Sequence, residues 1–347
     1  MGRVVLVTGV ARHLGGRLAT ALTQDPGVDR VVGVDVVPPS ADLGRTEFVR
    51  ADIRNPVISK VIASANVDTV VHMSVLAQPG KAGGRTVMKE VNVIGTMQLL
   101  AACQKAKSVT KLVLKSSTTV YGASAKDPAL FTEDMEPVSL PRSGFAKDSV
   151  EVEGYVRGFA RRRPDAMVTV LRFANFLGPG MSTPMSAYFE LPVVPTVLGF
   201  DPRIQLCHED DGLEVLRLTT VRDHPGTYNV AGDGVLLLSQ AIRRAGKPIL
   251  RLPAPLVSSV GGLVRRARLV DFSPEQLRFL TYGRGVDTTR MRTELGFSPR
   301  FSTRDTFDDF AKNRLDPFVS RESVERVERV LADALTTRGP WAEASGD

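Results

Sequence analysis

A glycine-rich turn near the start of the chain is the first feature whose spacing suggests chemistry. Residues 8–16 read TGVARHLGG, after an apolar run and before a helical pattern. Gly9 allows a tight turn, Gly15 allows close packing of helix on strand, and free N–H groups at a helix start attract phosphate oxygens. Arg12 replaces the middle glycine of such turns and either obstructs the phosphate or places a guanidinium beside it. The spacing predicts a pyrophosphate site, with a ligand-free turn as the alternative.

A carboxylate ends the next apolar run, because Asp35 lies 26 residues after Gly9. This is close to the spacing at which an acidic residue binds the ribose diol of an adenine dinucleotide. A carboxylate there repels a 2′-phosphate, although Arg12 or Arg45 would offset part of that repulsion. The arrangement favours NAD over NADP, and the alternative role of Asp35 is that of a strand-end turn former.

The composition disfavours several other classes of protein. The chain has 347 residues, and its 45 Lys and Arg against 38 Asp and Glu leave a net charge of +7. Because the positive charges form short scattered clusters, nucleic-acid binding is disfavoured and attraction for anionic substrates is favoured. Cys103, Cys207 and the four histidines lie in no metal-binding or redox pattern, and no apolar run is long enough to cross a membrane. We expect a cytoplasmic protein without a metal site.

Six apolar runs alternate with helical stretches in the first half of the chain. The runs are Val4–Val7, Val31–Val37, Phe48–Ile53, Val70–Met73, Lys111–Leu114 and Val168–Phe173. Consecutive apolar residues are typical of parallel strands that are covered by helices on both faces. Helical patterns occupy Leu14–Leu22, Val87–Ala102 and Ser149–Arg163. This order predicts an α/β fold with a Rossmann-type doubly wound parallel sheet and a smaller C-terminal lobe.

The composition of the sequence changes after about residue 175, where Gly and Pro become frequent. We predict a dinucleotide-binding Rossmann domain over residues 1–175 and a smaller α/β substrate-binding lobe, interleaved with it, over residues 176–318. Residues 319–347 are predicted to be a helical tail, since Glu322–Leu335 has an amphipathic pattern.

Several strings resemble the extended short-chain dehydrogenase/reductase family, in particular its NAD-dependent epimerase/dehydratase members typified by UDP-glucose 4-epimerase. The most specific is SSTTVYG at residues 116–122, which resembles the family's Ser-Ser-x-x-Val-Tyr-Gly strand end. Residues 71–75 (VHMSV), 92–96 (NVIGT) and 171–179 (LRFANFLGP) resemble further family segments. The resemblance extends along most of the chain, and a UDP-glucose 4-epimerase-like actinobacterial subgroup is the most similar.

The resemblance implies a site where NAD and a nucleotide sugar meet. Ser117 takes the position of the family's catalytic Ser or Thr. Lys147 takes the position of the family's lysine, which binds the nicotinamide ribose. Asn175 and Arg203 are implied to contact the substrate. The implied cofactor-binding residues are Gly9, Arg12, His13, Leu14, Gly15, Asp35, Asp52, Ile53, Met73, Ser74, Val75, Asn92 and Lys147.

The chain departs from the family at the position that transfers the proton. The family places a Tyr four residues before the Lys, so that both lie on one helix face and the Lys lowers the pKa of the phenol. Ser143 stands there instead, and a serine hydroxyl is a much weaker acid than a phenol. Three replacements for the base stay open, namely Tyr121, Lys147 itself, and Glu133 or Asp134.

The predicted function is that of an NAD(P)-dependent sugar-nucleotide epimerase or oxidoreductase, atypical at Ser143. The alternative is a regulatory family member that binds NAD without hydride transfer. A dehydratase is disfavoured, because Thr118 and Thr119 stand where the family's dehydratases carry an Asp-Glu pair. The resemblance also implies a homodimer that pairs through Val87–Ala102 and Ser149–Arg163 as a four-helix interface.

Overall fold

A seven-stranded parallel sheet forms the centre of the structure, a computed structural model that describes residues 2–77, 83–253 and 274–316. The strands in chain order are β1 (Arg3–Thr8), β2 (Val28–Asp35), β3 (Glu47–Arg50), β4 (Thr69–His72), β5 (Lys111–Ser117), β6 (Met167–Phe173), β7 (Asn175–Leu177), β8 (Val194–Val197), β9 (Arg203–Ile204), β10 (Leu206–His208), β11 (Gly226–Val230), β12 (Leu236–Leu237) and β13 (Ile249–Leu252). The order across the main sheet is β3-β2-β1-β4-β5-β6-β11, and each neighbouring pair is parallel. The predicted Rossmann-type fold is confirmed.

Each predicted strand is present, but two of them end two or three residues earlier than the apolar runs suggested, and β4 ends one residue earlier, at His72. The strand predicted to end at Val37 ends at Asp35, and the one predicted to end at Ile53 ends at Arg50. The second difference has a local cause, since the carboxylate of Asp52 accepts a 2.9 Å hydrogen bond from the backbone N–H of Arg54 and turns the chain. The seventh strand, β11, was not predicted. It comes from the part of the chain after residue 175, and the division into domains stays a prediction.

Helices cover both faces of the sheet. They are α1 (His13–Leu22), α2 (Val57–Ser64), α3 (Arg85–Lys89), α4 (Thr96–Lys105), α5 (Gly144–Arg162), α6 (Pro184–Phe189), α7 (Glu209–Val221), α8 (Leu238–Arg244), α9 (Pro274–Tyr282), α10 (Thr289–Thr293) and α11 (Thr303–Arg314). A π-helical segment, Glu90–Gly95, joins α3 to α4, so the single helix predicted over Val87–Ala102 is divided. Such π segments are rare and often occur near functional sites.

The alternation of side chains along β1 explains why the strands are apolar at consecutive positions. Val5 and Val7 pack on one face in the cluster that contains Leu18 of α1. Leu6 packs on the other face in the cluster that contains Ile62 of α2. All five side chains are fully buried. At roughly 1.5–3 kcal/mol for each buried aliphatic side chain, the two clusters hold the helices on the sheet.

The strand order places a crevice between the ends of β1 and β4. From β1 the chain builds outward to β2 and β3, then returns to the opposite side of β1 with β4 and continues outward again. In sheets of this type ligands bind outside the carboxyl ends of the strands at this switch point. The glycine-rich turn follows β1 and the VHMSV segment closes β4, so both border the crevice.

The region after β6 carries three two-stranded sheets, formed by β7 with β10, β8 with β13 and β9 with β12. A third apolar cluster, with Phe189 of α6 and Phe307 and Phe310 of α11 at its centre, packs them together. Within the described ranges no helix is long and apolar enough to span a membrane. The predicted tail helix over Glu322–Leu335 lies outside the described residues.

Candidate active site

The glycine-rich turn requires both of its outer glycines. Gly9 has a φ of +80°, a conformation that side chains with a Cβ rarely adopt. A Cβ on Gly15 would lie 2.2 Å from the carbonyl oxygen of Gly9, so only glycine lets the first turn of α1 approach β1 this closely. Gly9, Arg12, His13, Leu14 and Gly15 all line one cavity of about 500 Å³, which we call cavity A. These predicted cofactor-binding residues therefore lie together.

Asp35 supports the turn from the end of β2. Its two carboxylate oxygens accept hydrogen bonds from the backbone N–H groups of Ala11, at 3.0 Å, and of Val36, at 2.7 Å. The carboxylate thus lies beside the turn, but Asp35 does not line cavity A. Its position agrees with the turn-forming alternative, and its contact with a ribose stays a prediction.

A buried histidine joins β1 to β4 behind the crevice. The ring of His72 lies 2.9 Å from the hydroxyl of Thr8 and 2.8 Å from that of Thr96. Burial, and then repulsion from Lys115, lowers the pKa of His72 to about 4, so the ring is neutral at neutral pH. The Thr8 hydroxyl also accepts a 3.0 Å bond from the N–H of Met73. This network sets the path of the chain as it leaves β4.

The other predicted cofactor residues divide into those that reach cavity A and those that do not. Met73 and Val75 line it. The Ser74 hydroxyl is turned toward Gly9, where a Cβ would lie 3.0 Å from its oxygen. Ile53 is buried in the core, and the Asp52 carboxylate is paired with Arg54. These three side chains stay outside cavity A.

Asn92 shapes the wall of cavity A without lining it. This fully buried side chain accepts a 2.6 Å hydrogen bond from the N–H of Leu76 and donates a 2.9 Å bond to the same residue's carbonyl. It also donates to the carboxylate of Asp148 at 3.1 Å. Asn92 therefore positions the segment that follows β4, and its contact with a cofactor stays a prediction.

A second cavity, of about 600 Å³, adjoins the first, and we call it cavity B. The two cavities share a boundary that includes Ser117 at the end of β5 and Asn175 at the start of β7. Ser117 accepts a 3.2 Å hydrogen bond from the N–H of Thr119, and its hydroxyl proton is free to donate to a ligand. The predicted catalytic serine and the predicted substrate-binding asparagine are thus brought to one place.

Tyr121 lies outside cavities A and B. Its hydroxyl lies 2.8 Å from the guanidinium of Arg172 and 2.8 Å from the amide oxygen of Asn229, and its side chain is fully buried away from both cavities. Arg172 in turn is paired with the buried carboxylate of Glu153 at 2.7 Å. Burial raises the pKa of the Tyr121 phenol, against the opposing effect of Arg172. Tyr121 lines neither cavity, so nothing in this geometry supports a role as catalytic base, and that role stays a prediction.

The carboxylates proposed as alternative bases also point elsewhere. Glu133 is buried, accepts a 2.8 Å bond from the N–H of Asn229, and lines neither cavity. Asp134 is exposed near Arg290, 3.7 Å away. Glu133 holds the loop after Phe131 against β11, whereas Asp134 lies toward α10, and neither side chain lines a cavity.

Lys147 lies on the expected helix but is directed away from the cavities. Its ammonium group is 3.8 Å from the carboxylate of Glu151, and it lines neither cavity A nor cavity B. Ser143, four residues earlier, precedes the first residue of α5 and lines cavity B. Its hydroxyl donates to Glu275, a residue of α9. The pairing of residues 143 and 147 that the resemblance implied is therefore not formed in this structure.

Lys115 is a site residue that the sequence did not reveal. It lies on β5 two positions before Ser117, and both residues line cavity A. Ser116 between them also borders the cavity, but its hydroxyl donates to the carboxylate of Glu153. None of the described residues forms a hydrogen bond or ion pair with the amino group of Lys115, which lies 5.9 Å from the ring centre of Phe176. Burial lowers the pKa of Lys115 to about 8, and repulsion from Arg12 adds to the shift.

Cavity B is strongly basic. Four arginines line it, from α3, the loop before α5, α9 and the loop after α9: Arg85, Arg142, Arg278 and Arg284. Arg85 is held by two bonds, of 2.6 and 2.7 Å, to the fully buried carboxylate of Asp148. Among the described lining residues, Glu275 is the only acidic one.

Arg284 is the most deeply placed of these arginines. It donates to the carbonyl oxygen of Gly122, lies over the ring of Phe279 at 5.1 Å, and has a buried Nε without a hydrogen-bond partner among the described residues. Burial lowers the pKa of this guanidinium to about 10. An unsatisfied buried donor of this kind is costly unless an acceptor binds there.

Arg203, the predicted substrate contact, is bonded to Arg284 through its backbone but does not line cavity B. It lines neither cavity, its side chain is exposed on β9, and its carbonyl oxygen accepts a 3.2 Å bond from the N–H of Arg284. The basic residue that reaches cavity B here is Arg284, from a loop held by the backbone of Arg203, and the contact of Arg203 with a substrate stays a prediction. In the ranges described, no three His, Cys, Asp or Glu side chains are grouped as metal ligands would be.

Comparison with known proteins agrees with this geometry. A protein of Mycobacterium tuberculosis described as uncharacterised is 49% identical over 327 residues, which cover 93% of this chain and 87% of the relative. UDP-glucose 4-epimerase 3 of rice is 30% identical over 191 residues, or 51% of this chain and 50% of that protein. This second match spans about half of each sequence.

Solved structures of low sequence identity share the fold. The UDP-glucose 4-epimerase of Thermotoga maritima, solved with UDP-glucose, superimposes with a TM-score of 0.69 at 18% identity, covering 89% of this chain and 98% of that one. MoeE5, solved with UDP-glucuronic acid and NAD, gives a TM-score of 0.69 at 23% identity, covering 90% and 98%. Residues 5–231, more than half of the chain, match the profile of one sequence family. The chain therefore belongs to the NAD dependent epimerase/dehydratase family.

Proposed function

We propose that this protein is an NAD-dependent sugar-nucleotide epimerase or oxidoreductase. The observation that carries the proposal is the meeting of cavities A and B at Ser117 and Asn175. A reaction that moves a hydride between two bound molecules needs two adjoining sites and a polar group at their junction. The fold and the family support the same conclusion.

Cavity A has the chemistry of a dinucleotide site. Its described lining holds the N-terminus of α1, Arg12 and Lys115, but no carboxylate. Backbone N–H groups at a helix start, together with two basic side chains, suit a pyrophosphate. Gly9 and Gly15 let the turn and the start of α1 lie close against β1 at the edge of this cavity. When bound there, the nicotinamide group would accept and return a hydride. Asp35, at the edge of the turn, favours NAD over NADP.

Cavity B has the chemistry of a nucleotide-sugar site. The guanidinium of Arg284, with its unpartnered Nε, and those of Arg85, Arg142 and Arg278 would bind a diphosphate. The sugar would then extend toward Ser117 and Asn175, whose hydroxyl and amide can donate hydrogen bonds to sugar oxygens. Ser117 would orient the reacting hydroxyl toward cavity A.

Purified protein incubated with NAD and a panel of UDP- and dTDP-sugars should form an epimer or a transiently reduced cofactor. Removing the junction hydroxyl by Ser117→Ala should lower turnover by roughly 10²- to 10⁴-fold, the usual contribution of a group that acts in proton transfer. Ser64→Ala, at an exposed position on α2, is the matched control and should leave turnover unchanged.

Two other results of this assay would contradict the proposal. If NAD is released from the denatured protein but no sugar nucleotide reacts, and Ser143→Tyr creates turnover, the regulatory alternative is correct. If Ser117→Ala is as active as the unchanged protein, the junction of the two cavities is not the reaction site.

NAD binding should be linked to the protonation of Lys115. The charged or titratable groups that face this amine are Arg12 from the turn and His72 from β4. A bound pyrophosphate favours the ammonium form and raises the pKa of Lys115 above its value of about 8 in the free protein. Below pH 8 the amine is charged before binding, so the affinity for NAD is constant. Above pH 8 binding must take up a proton, and the affinity should fall by up to about tenfold per pH unit.

Calorimetric titrations with NAD from pH 6.5 to 9.5, in buffers of different ionisation enthalpy, would measure the number of protons taken up on binding. Lys115→Met should weaken binding at pH 7 and abolish the proton uptake. Lys126→Met, at an exposed site, should change neither quantity. An affinity that is independent of pH in the unchanged protein would show that Lys115 does not contact the cofactor.

A homodimer through the α4 and α5 helices is a further part of the proposal. Three large apolar side chains on this pair of helices and the π segment are exposed: Ile94, Met97 and Tyr155. Exposed apolar residues that cluster on neighbouring elements are typical of contact surfaces. They support the four-helix interface that the family resemblance implied.

Sedimentation equilibrium would test the dimer. Introducing a charge by Tyr155→Asp should raise the dimer dissociation constant by roughly thirtyfold or more, as expected for loss of about 2 kcal/mol at an interface centre. Val57→Asp, at a similarly exposed valine on α2, should leave the dimer intact. A monomeric unchanged protein at micromolar concentration would refute the interface.

A further inference from the structure

The hydroxyl of Ser143 makes an unusual contact for a residue at the start of a helix. A serine that precedes a helix normally accepts a hydrogen bond from a backbone N–H of the first turn. Ser143 precedes α5 and makes no such bond. Its hydroxyl instead donates to Oε1 of Glu275, a residue 132 positions later in the chain. The residue that replaces the family's tyrosine is therefore paired with a carboxylate.

The second oxygen of Glu275 is unsatisfied. Oε2 is buried and has no hydrogen-bond partner among the described residues. A buried carboxylate oxygen without a donor is costly, because its hydration is lost without replacement. Such an atom is well suited to a role in which the carboxylate gains a proton or a ligand hydroxyl during function.

Gly144 allows the carboxylate to lie where it does. Its φ is +67°, and a Cβ on this residue would lie 2.9 Å from Oε2 of Glu275. Any other residue would be strained there and would displace the carboxylate. Ser143 thus binds the carboxylate of Glu275 through its hydroxyl, and Gly144 leaves room for that carboxylate.

This arrangement faces the substrate side of the site. Ser143 and Glu275 line cavity B together with Ser117 and Asn175. Glu275 is the only acidic residue among the described lining residues, so it is the only carboxylate available there to accept a proton. The charged groups around it in cavity B are Arg85, Arg142, Arg278 and Arg284.

We propose that Glu275, acting through the hydroxyl of Ser143, is the proton acceptor that replaces the family's tyrosine, an inference that rests on the proposed function. The reacting sugar hydroxyl gives its proton to Oγ of Ser143, and the Ser143 proton passes to Oε1 of Glu275. The sugar carbon loses its hydride to the nicotinamide dinucleotide in cavity A, so the alcohol is oxidised to a ketone and the dinucleotide is reduced. Return of the hydride to the ketone carbon and of the proton to its oxygen restores the alcohol and the oxidised dinucleotide.

The first test compares Glu275→Gln with the matched control Glu136→Gln, an exposed acid in the loop before α5. The substrate is whichever UDP- or dTDP-sugar reacts with NAD in the panel assay. Glu275→Gln should lower kcat by roughly 10²- to 10⁴-fold and leave the affinity for the sugar nucleotide within about threefold. In the unchanged protein kcat should decline at acidic pH, where a carboxylate base becomes protonated. Glu275→Gln should not show this decline. Glu136→Gln should match the unchanged protein.

A second measurement detects the transferred proton directly, and its main arm uses the unchanged protein. Infrared difference spectra of the unchanged protein, recorded on mixing with NAD and the sugar nucleotide, should show a protonated carboxyl band. Ser143→Ala, which removes the relay and keeps the carboxylate, should lose that band.

The possible failures can be told apart. If the unchanged protein reacts with no sugar nucleotide, the proposed function and this inference are both wrong. If the protein reacts but Glu275→Gln retains full kcat, or weakens binding without lowering kcat, or if no carboxyl band appears, the inference alone is wrong.

Discussion

Cavity A depends on one close contact, that between the backbone of Gly15 in α1 and the carbonyl oxygen of Gly9 at the end of β1. A Cβ on Gly15 would lie 2.2 Å from that oxygen, so the contact excludes all other residues. It brings the N-terminus of α1 to the switch point of the sheet, where the backbone N–H groups face cavity A. The His72 network behind it joins β1 to β4 and keeps this edge of the sheet closed.

The rest of the site is built outward from that contact. β5 is separated from β1 by β4, and it places Lys115 in cavity A and Ser117 at the boundary with cavity B. Elements after residue 200 then supply most of the charge in cavity B, through Glu275, Arg278 and Arg284. The family scaffold is therefore retained, while Lys115, Glu275 and Arg284 line the cavities at positions for which the resemblance implied no role.

The sequence predicted the sheet and the glycine turn because both depend on local patterns. Consecutive apolar residues marked the buried strands, and glycine spacing marked the turn. It did not predict Lys115, since one lysine within an apolar strand gives no sign of which face it occupies. It could not predict Glu275, whose partner Ser143 is 132 residues away. Tyr121 matched a family string, but its side chain is held in the core by Arg172 and Asn229. Such contacts depend on tertiary packing.

The central claim is that a dinucleotide and a nucleotide sugar meet at Ser117. A crystal structure of the protein grown with NAD and UDP-glucose would test it most directly. The account predicts the pyrophosphate of NAD at the Gly9–Gly15 turn beside Lys115, the diphosphate of UDP-glucose beside Arg284, and the glucose ring next to Ser117 and Asn175. Side chains of Arg12 and Lys115 filling cavity A, with the sugar nucleotide bound elsewhere or not at all, would contradict it.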